Sequence, residues 1–263
     1  MLFIFRGPMM FLESPPRPVF GEIDKHSPAA QWFHQLTKQL ALPSKPKAIL
    51  VITAHWETTD TIEINSQEQH SELYYDYYGF PAEAYEITYN PPGDIQLAER
   101  VKSLLTQAGI PSKLNPERNF DHGVFIPMKL MYPNGEIPIV SMSILDNLSP
   151  EQHLAIGKAL VPLRREEILI IGSGSFVHGF HVKDEESKPF ADAFIDILTK
   201  ADVETREDVL LNWKEKLPFA RENHPREEHL IPLHVIVGAA ADDQCEYLNP
   251  NVIKTQAAFR FGN

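Results

Sequence analysis

The chain has 263 residues, of which 43 % are hydrophobic, and a formal net charge of −12 at pH 7. A chain of this length and mean hydropathy (−0.25) can bury the core of one large domain, or of two small ones that share a core. Its acidic balance excludes the basic surface that binds DNA or RNA and disfavours docking on an anionic membrane. We treat residues 1–263 as one domain.

The cellular context is predicted from cysteine content and from the absence of apolar spans. Cys245 is the only cysteine, so the chain cannot form an internal disulfide, and a reducing compartment suits it. Residues 1–14 lack the basic start and apolar core of a signal peptide. No run approaches the roughly 20 apolar residues that cross a bilayer. We therefore expect a cytoplasmic protein.

Apolar runs and helical periodicity alternate along the chain. Residues 48–54 (AILVITA) form a β-branched run that ends in His55, and Ser27-Pro28 has the form of a helix start. Further strands are predicted at 2–5, 61–64, 110–114, 137–142 and 167–172, with a possible edge strand at 256–261. Helices are predicted after Ser27 and at 94–108, 124–131, 150–163, 188–199, 206–213 and 227–241, the last bent near Pro232.

This alternation predicts an α/β fold with a mostly parallel central sheet flanked by helices. In such sheets, sites form beyond the carboxyl ends of the strands. Residues 70–92 are rich in tyrosine, proline and glycine, and we expect them to form a long ordered loop. We call this segment the aromatic loop.

Four of the 11 histidines stand where chemistry is expected. His55 follows a buried strand, His122 lies in a predicted turn, His178 follows the strand at 167–172, and His229 opens the last predicted helix. Each alone is more often a structural histidine. Together, at the ends of separate elements, they favour a metal site, because imidazole is a common metal ligand.

Other common motifs do not fit the sequence. His229 and His234 are five residues apart, about 140° around a helix, so they cannot share one face as ligands. Gly172-Ser173-Gly174 after a strand lacks the third glycine of a dinucleotide loop, and no phosphate-binding lysine follows it. Cys245 is interpreted as a small buried apolar residue.

Four longer motifs, in order along nearly the whole chain, resemble one enzyme family. They are AHW at 54–56, NFDHGVFIPMKLMYP at 119–133, GSGSFVHGF at 172–180 and HPREEHLIPLHVIVGAA at 224–240. These motifs are similar to those of class III extradiol ring-cleavage dioxygenases, most of all the branch of 4,5-DOPA dioxygenases and their bacterial relatives. The resemblance is specific for the family and much less so for the substrate.

The resemblance implies roles for the four histidines. His55 and His229 match histidines that bind the metal. His178 matches a histidine described either as a metal ligand or as an acid/base at the metal, and both roles stay open here. His122 matches a histidine of the catechol pocket, where it binds substrate or transfers a proton. The implied substrates are a small catechol, DOPA-like or another aromatic diol, and O₂.

One position departs from the family pattern. The family begins with a strand that ends in a ligand histidine followed by glycine, whereas this chain has Arg6-Gly7-Pro8-Met9 there. Arginine stays protonated and has no lone pair for a cation. Either His55, His178 and His229 hold the metal alone, or His26 substitutes, or the chain is a weakened or non-catalytic relative. An altered N-terminus is a fourth explanation.

The metal determines which chemistry is available. Fe(II) suits ring opening with O₂, since it is redox-active and can keep open positions. Zn(II) would bind the same imidazoles without redox chemistry, and a zinc-dependent hydrolase is therefore the alternative function. His122 and His178 are the expected proton-transfer groups. Asp121 and Glu57 are the expected carboxylate partners of the ligand histidines.

Overall fold

A computed structural model describes residues 1–4, 24–40, 42, 44–179, 181–249 and 256–262. Within these ranges, no helix is long and apolar enough to cross a membrane. The predicted turn around Gly7-Pro8, the departure at Arg6 and Phe180 of the third motif lie outside the described residues. The extent of the domain, residues 1–263, stays a prediction.

The described residues form one α/β domain built on an eight-stranded sheet in the order β4-β3-β5-β2-β6-β1-β8-β7. Strands β5, β2, β6 and β1 are parallel, as are β3 and β4. The remaining pairs, β3 with β5, β1 with β8 and β8 with β7, are antiparallel. The strands are β1 (Leu2–Ile4), β2 (Ala48–Thr58), β3 (Ile62–Asn65), β4 (Ser112–Asn115), β5 (Ile139–Leu145), β6 (Ile168–Ser173), β7 (Cys245–Tyr247) and β8 (Phe259–Phe261).

Helices cover both faces of the sheet, which confirms the predicted fold class. Leu50 and Ile52 of β2 face one hydrophobic core, and Ile49 and Val51 face the other. A strand buried on both faces reads as a continuous apolar run. The helices are α1 (Pro28–Gln39), α2 (Ile95–Gln107), α3 (His122–Met131), α4 (Pro150–Ala159), α5 (Asp184–Lys200), α6 (Val203–Leu211), α7 (Trp213–Lys216), α8 (Ala220–Asn223) and α9 (Ile231–Ala240), with short 3-10 helices at Ala82–Tyr85 and Val161–Glu166.

Several predicted boundaries are confirmed, and their caps explain them. Ser27 accepts a hydrogen bond from the backbone of Ala30 and Pro28 occupies the first turn of α1. Asp94 caps α2 in the same way. Gly109 adopts the positive φ of 73° that ends this helix.

The predictions for the end of β2, the start of the last helix and the place of the last strand in the sheet are wrong. β2 does not end at His55 but continues to Thr58, with a register shift against β5 between Ile52 and Glu57. The last helix begins at Ile231 rather than at residue 227, and Pro232 lies in its first turn instead of bending it. The strand near residue 260 is not an edge, because β8 lies between β1 and β7.

Candidate metal centre

His55 lies where β2 loses its regular pairing. The pairing of β2 with β6 ends at Thr53, and its pairing with β5 is shifted before Glu57. Such irregularities re-aim a side chain and are common beside active sites. The Nε2 atom of His55 lies 3.2 Å from Nε2 of His229, which belongs to the segment before α9.

Carboxylates surround the opposite side of the His55 ring. Its Nδ1 lies 2.9 Å from Oδ2 of Asp76 and 3.6 Å from Oδ1 of Asp121. Asp121 is buried and accepts hydrogen bonds from Thr53 (2.8 Å) and from the backbone of Gly123 (2.9 Å). A carboxylate at Nδ1 keeps the proton there, so that the lone pair is on Nε2.

His229 has the same arrangement. Its Nδ1 lies 2.6 Å from Oε1 of Glu228, and its side chain is buried. Burial alone would raise the pKa of Glu228, but hydrogen bonds from His178 and His229 outweigh it and hold that pKa well below its usual value. Glu228 is therefore an acceptor, and His229 also presents its Nε2 lone pair.

The facing Nε2 atoms fit a shared cation. Without a metal, the two atoms at 3.2 Å can share one proton in a hydrogen bond; with both Nδ1 atoms protonated, the two lone pairs could instead bind one cation. Nitrogens that bind one ion at about 2.1 Å lie roughly 3 to 3.4 Å apart in neighbouring coordination positions. The donor set of two imidazoles, each with a carboxylate on its far side, is the usual environment of a protein-bound metal.

His178 stacks on His229 instead of facing it. The two ring centroids are 3.5 Å apart and the planes differ by 14°. The Nδ1 atom of His178 lies 3.4 Å from Oε1 of Glu228, so both rings contact the same carboxylate oxygen. Two backbone hydrogen bonds join the loop after β6 to the segment before α9. Ser175 N–H donates to His229 O and His178 N–H donates to Asn223 O, each at 2.9 Å.

His122 is the first residue of α3 and not part of a turn, because Asp121 caps that helix. Its ring lies 4.0 Å from the ring of His55, centroid to centroid. Asp76 accepts hydrogen bonds from both the backbone nitrogen (2.9 Å) and Nδ1 (2.7 Å) of His122. One carboxylate therefore contacts two of the predicted site histidines.

The aromatic loop brings Asp76 to the site, and it is ordered as predicted. The backbone of Tyr74 donates a 2.8 Å bond to Phe120 O. Tyr77 packs edge-on against His122, with ring centroids 5.5 Å apart, and donates from its hydroxyl to Ala84 O at 2.5 Å. The loop therefore forms an aromatic wall beside His122.

A proline inside α3 links that helix to the end of β6. Pro127 has no N–H to bond the carbonyl of Gly123, four residues earlier. Ser173, the last residue of β6, donates its hydroxyl to this carbonyl at 2.5 Å. The last residue of β6 therefore helps to position the start of α3.

The structure brings together all four predicted histidines, but not all predicted partners. Asp121 lies beside His55 as expected, whereas Glu57 pairs with Arg226 at 2.7 Å. His26, the proposed substitute ligand, has an exposed side chain beside the start of α1.

The carboxylates that sequence reasoning missed are Asp76 and Glu228. Two groups of three residues each place their possible ligand atoms within 4.8 Å of one another. The first group is His55, Asp76 and His122, and the second is His178, Glu228 and His229.

Comparison with known families assigns the chain to one of them. A family model described as the catalytic LigB subunit of aromatic ring-opening dioxygenase matches residues 14–259. The chain belongs to this family. The motifs at His55, His122, His178 and His229 all lie within the matched region, and the resemblance found in the sequence is confirmed.

Relatives of this LigB-family chain carry dioxygenase names. It is 37 % identical over 225 residues to a 4,5-DOPA dioxygenase extradiol of Beta vulgaris, covering 84 % of this chain and 83 % of the relative. It is 34 % identical to the protein of that name in Escherichia coli K12, covering 76 % and 74 %. A crystal structure of an uncharacterized E. coli K12 protein superposes with a TM-score of 0.73 at 26 % identity, covering 99 % and 98 %.

Proposed function

We propose that this protein is a non-haem Fe(II) extradiol dioxygenase that opens the ring of a catechol with O₂. The observation that carries the proposal is the 3.2 Å approach of the Nε2 atoms of His55 and His229, each with a carboxylate on its Nδ1 side. The family membership and the names of its relatives support a ring-opening reaction.

In this proposal, His55 and His229 hold the ion. Two imidazoles leave the remaining coordination positions for a bidentate catechol and for O₂. Fe(II) bound there would supply the redox chemistry with O₂ that cleavage beside the diol requires. The reaction places both oxygen atoms of O₂ in the product, so it needs no external reductant.

His178 is the proposed proton-transfer group. Its ring is nearly parallel to that of His229, and an imidazole lone pair lies in the ring plane. The two stacked rings hold their lone pairs in separate, nearly parallel planes, so His229 would hold the ion together with His55, and His178 would serve in proton transfer rather than as a third ligand. Glu228 contacts Nδ1 of His178 and would stabilise the ring after it accepts a proton from the catechol.

His122 is proposed to bind the second catechol oxygen. Asp76 holds the proton on Nδ1 of His122, which leaves Nε2 as an acceptor for a hydroxyl. Tyr77 and the neighbouring aromatic rings would cover the catechol and limit access of water. A DOPA-like catechol is the first substrate to test, because several relatives carry that name.

The test is anaerobic loading with Fe(II), followed by O₂ uptake and absorbance measurements on a panel of catechols. We expect stoichiometric O₂ uptake and a ring-opened chromophore with at least one catechol, and neither after loading with Zn(II). Failure with every catechol despite bound Fe(II) would refute the proposal. Ester or amide turnover by the zinc form, indifferent to O₂, would support the hydrolase alternative.

The variant Arg6→His separates an active enzyme from a weakened one. A large gain of oxygenase activity would identify residue 6 as a lost ligand position, as the family pattern implies. Unchanged activity would mean that the histidines of the described residues suffice. A protein that binds neither Fe(II) nor Zn(II) at micromolar concentration, with or without this change, would be a non-catalytic relative.

A further inference from the structure

We propose that Asp76 is a positioning residue that couples the aromatic loop to both metal binding and catechol binding. The inference rests on the proposed metal centre at His55 and His229 and, for its catechol part, on the proposed ring-opening reaction. Asp76 places Oδ2 2.9 Å from Nδ1 of His55, and Oδ1 2.7 Å from Nδ1 of His122. One carboxylate thus orients a proposed metal ligand and a proposed substrate-binding group.

The charge of Asp76 is suited to this task. Its side chain is only 11 % exposed. Its two oxygens contact different imidazole nitrogens, Oδ2 that of His55 and Oδ1 that of His122. Each oxygen can therefore accept the Nδ1 proton of one ring. An amide could accept at only one of the two positions.

The position of Asp76 is itself fixed by the loop. The backbone nitrogen of Tyr74 bonds Phe120 O at 2.8 Å, and that of Asp76 bonds Tyr74 O at 3.0 Å. The third contact of Asp76, to the backbone nitrogen of His122 at 2.9 Å, ties it to the start of α3. Loop, helix start and imidazoles therefore form one connected unit.

Thermodynamic reciprocity gives the proposal a second consequence. If the loop strengthens metal binding through Asp76, bound metal must stabilise the loop by the same free energy. The loop should therefore exchange its backbone amides more slowly when metal is bound. We expect this effect to require the carboxylate, because it is the Asp76 side chain that contacts His55.

The first experiment measures metal affinity in competition with a chromogenic chelator, using Zn(II) in air and Fe(II) without O₂. Asp76→Asn should bind both ions about 10- to 100-fold more weakly, the usual cost of removing such a partner. Glu86→Gln, an exposed carboxylate of the same loop, is the matched control and should bind like the parent. Asp76→Glu should recover part of the loss, since it keeps the carboxylate.

The second experiment separates the effect of Asp76 on metal binding from its effect on catechol binding, and it needs no turnover. Calorimetry of a catechol binding to the Zn(II)-loaded protein should show weakened binding in both Asp76→Asn and His122→Gln. Metal affinity should fall only in Asp76→Asn. Amide exchange of residues 71–90 should slow on Zn(II) binding in the parent and in Glu86→Gln, and much less in Asp76→Asn.

These readouts remain interpretable if no catechol is ever opened, since metal affinity and amide exchange do not depend on the reaction. Metal affinity of Asp76→Asn within threefold of the parent would overturn the proposal. Equal losses in Asp76→Asn and Asp76→Glu would also overturn it, because only side-chain shape would then matter. If Asp76→Asn shows no thermal unfolding transition, amide exchange of the parent decides the question: exchange of residues 71–90 that does not slow on Zn(II) binding would overturn the proposal.

Discussion

The imidazole of His178 lies face to face with that of His229, with centroids 3.5 Å apart and planes 14° apart. Two rings in this arrangement hold their lone pairs in separate, nearly parallel planes. We therefore propose different tasks for them, proton transfer for His178 and metal ligation for His229.

The variant His178→Gln tests this division. We expect it to bind Fe(II) and Zn(II) within about threefold of the parent, while kcat for ring opening falls about 100- to 10,000-fold, the usual range for a lost acid/base. His55→Gln and His229→Gln should instead lose the metal. If His178→Gln loses the metal to the same extent as these two, His178 is a ligand.

Glu228 should strengthen metal binding through its contact with His229. In Glu228→Gln the Nδ1 atom of His229 no longer faces a charged acceptor, and metal affinity should fall about 10- to 100-fold. Glu222→Gln changes an exposed carboxylate of the preceding helix and serves as the control. Equal affinities of the two variants in chelator competition would contradict the role assigned to Glu228.

Gly174 should be intolerant of a side chain. A Cβ atom there would clash with the carbonyl oxygen of His229 and touch the ring of Phe3. We expect Gly174→Ala to lower the free energy of unfolding by about 1–3 kcal/mol, measured in urea, and to weaken metal binding. Gly109→Ala, with positive φ but open space, should cost about 1 kcal/mol and leave metal affinity unchanged. Parent-like metal binding by Gly174→Ala would show that His229 tolerates the shift.

Buried histidines should make the metal-free protein sensitive to mild acid. Burial lowers the pKa of His70, His153 and His224 to about 4, against 6.5 for the unfolded chain. Between these values the unfolded state binds more protons, so the free energy of unfolding must fall as pH decreases from about 6.5 to 4. The lowered carboxylate pKa values of Asp76, Asp121 and Glu228 act in the same direction but below about pH 4.

Urea unfolding at pH 7, 6 and 5 measures this effect, which we expect to be about 1–2 kcal/mol for each histidine between pH 7 and 5. His153 accepts from the backbone of Leu145 (2.9 Å) and its Nδ1 faces Ser149 O (2.7 Å), so protonation would break the first bond. His153→Gln should be less stable at pH 7 but lose less on acidification. A parent stability that stays flat between pH 7 and 5 would contradict the prediction.

The sequence predicted most strands and helices, because periodicity and caps are local signals. The four histidines were selected by their places in the predicted elements and by motifs that resemble the family, and the structure brings them together. The continuation of β2 was missed since its last residues, Glu57 and Thr58, are polar and pair with β5 only after a register shift. The start of α9 was placed too early because apolar spacing continues into the segment before Pro232. β7 has only three residues, and its pairing with β8 is tertiary.

The carboxylates of the site were harder to predict. Asp76 is 21 residues from His55 and 46 from His122 in sequence, and no local rule connects them. The available signal was a single acid among four tyrosines, at residues 74–78. Glu228 is adjacent to His229, and its contact with His178 depends on the backbone bonds that join the two loops.

Those backbone bonds also indicate which parts of the candidate site should tolerate substitution. The loop after β6 and the segment before α9 are joined through main-chain groups, so we expect a substitution in one to displace the histidine carried by the other. The opposite wall, on the aromatic loop and the start of α3, contacts the site mainly through side chains. Libraries that seek new catechol preferences should therefore vary that wall, with Asp76 and His122 kept, and leave the first two segments intact.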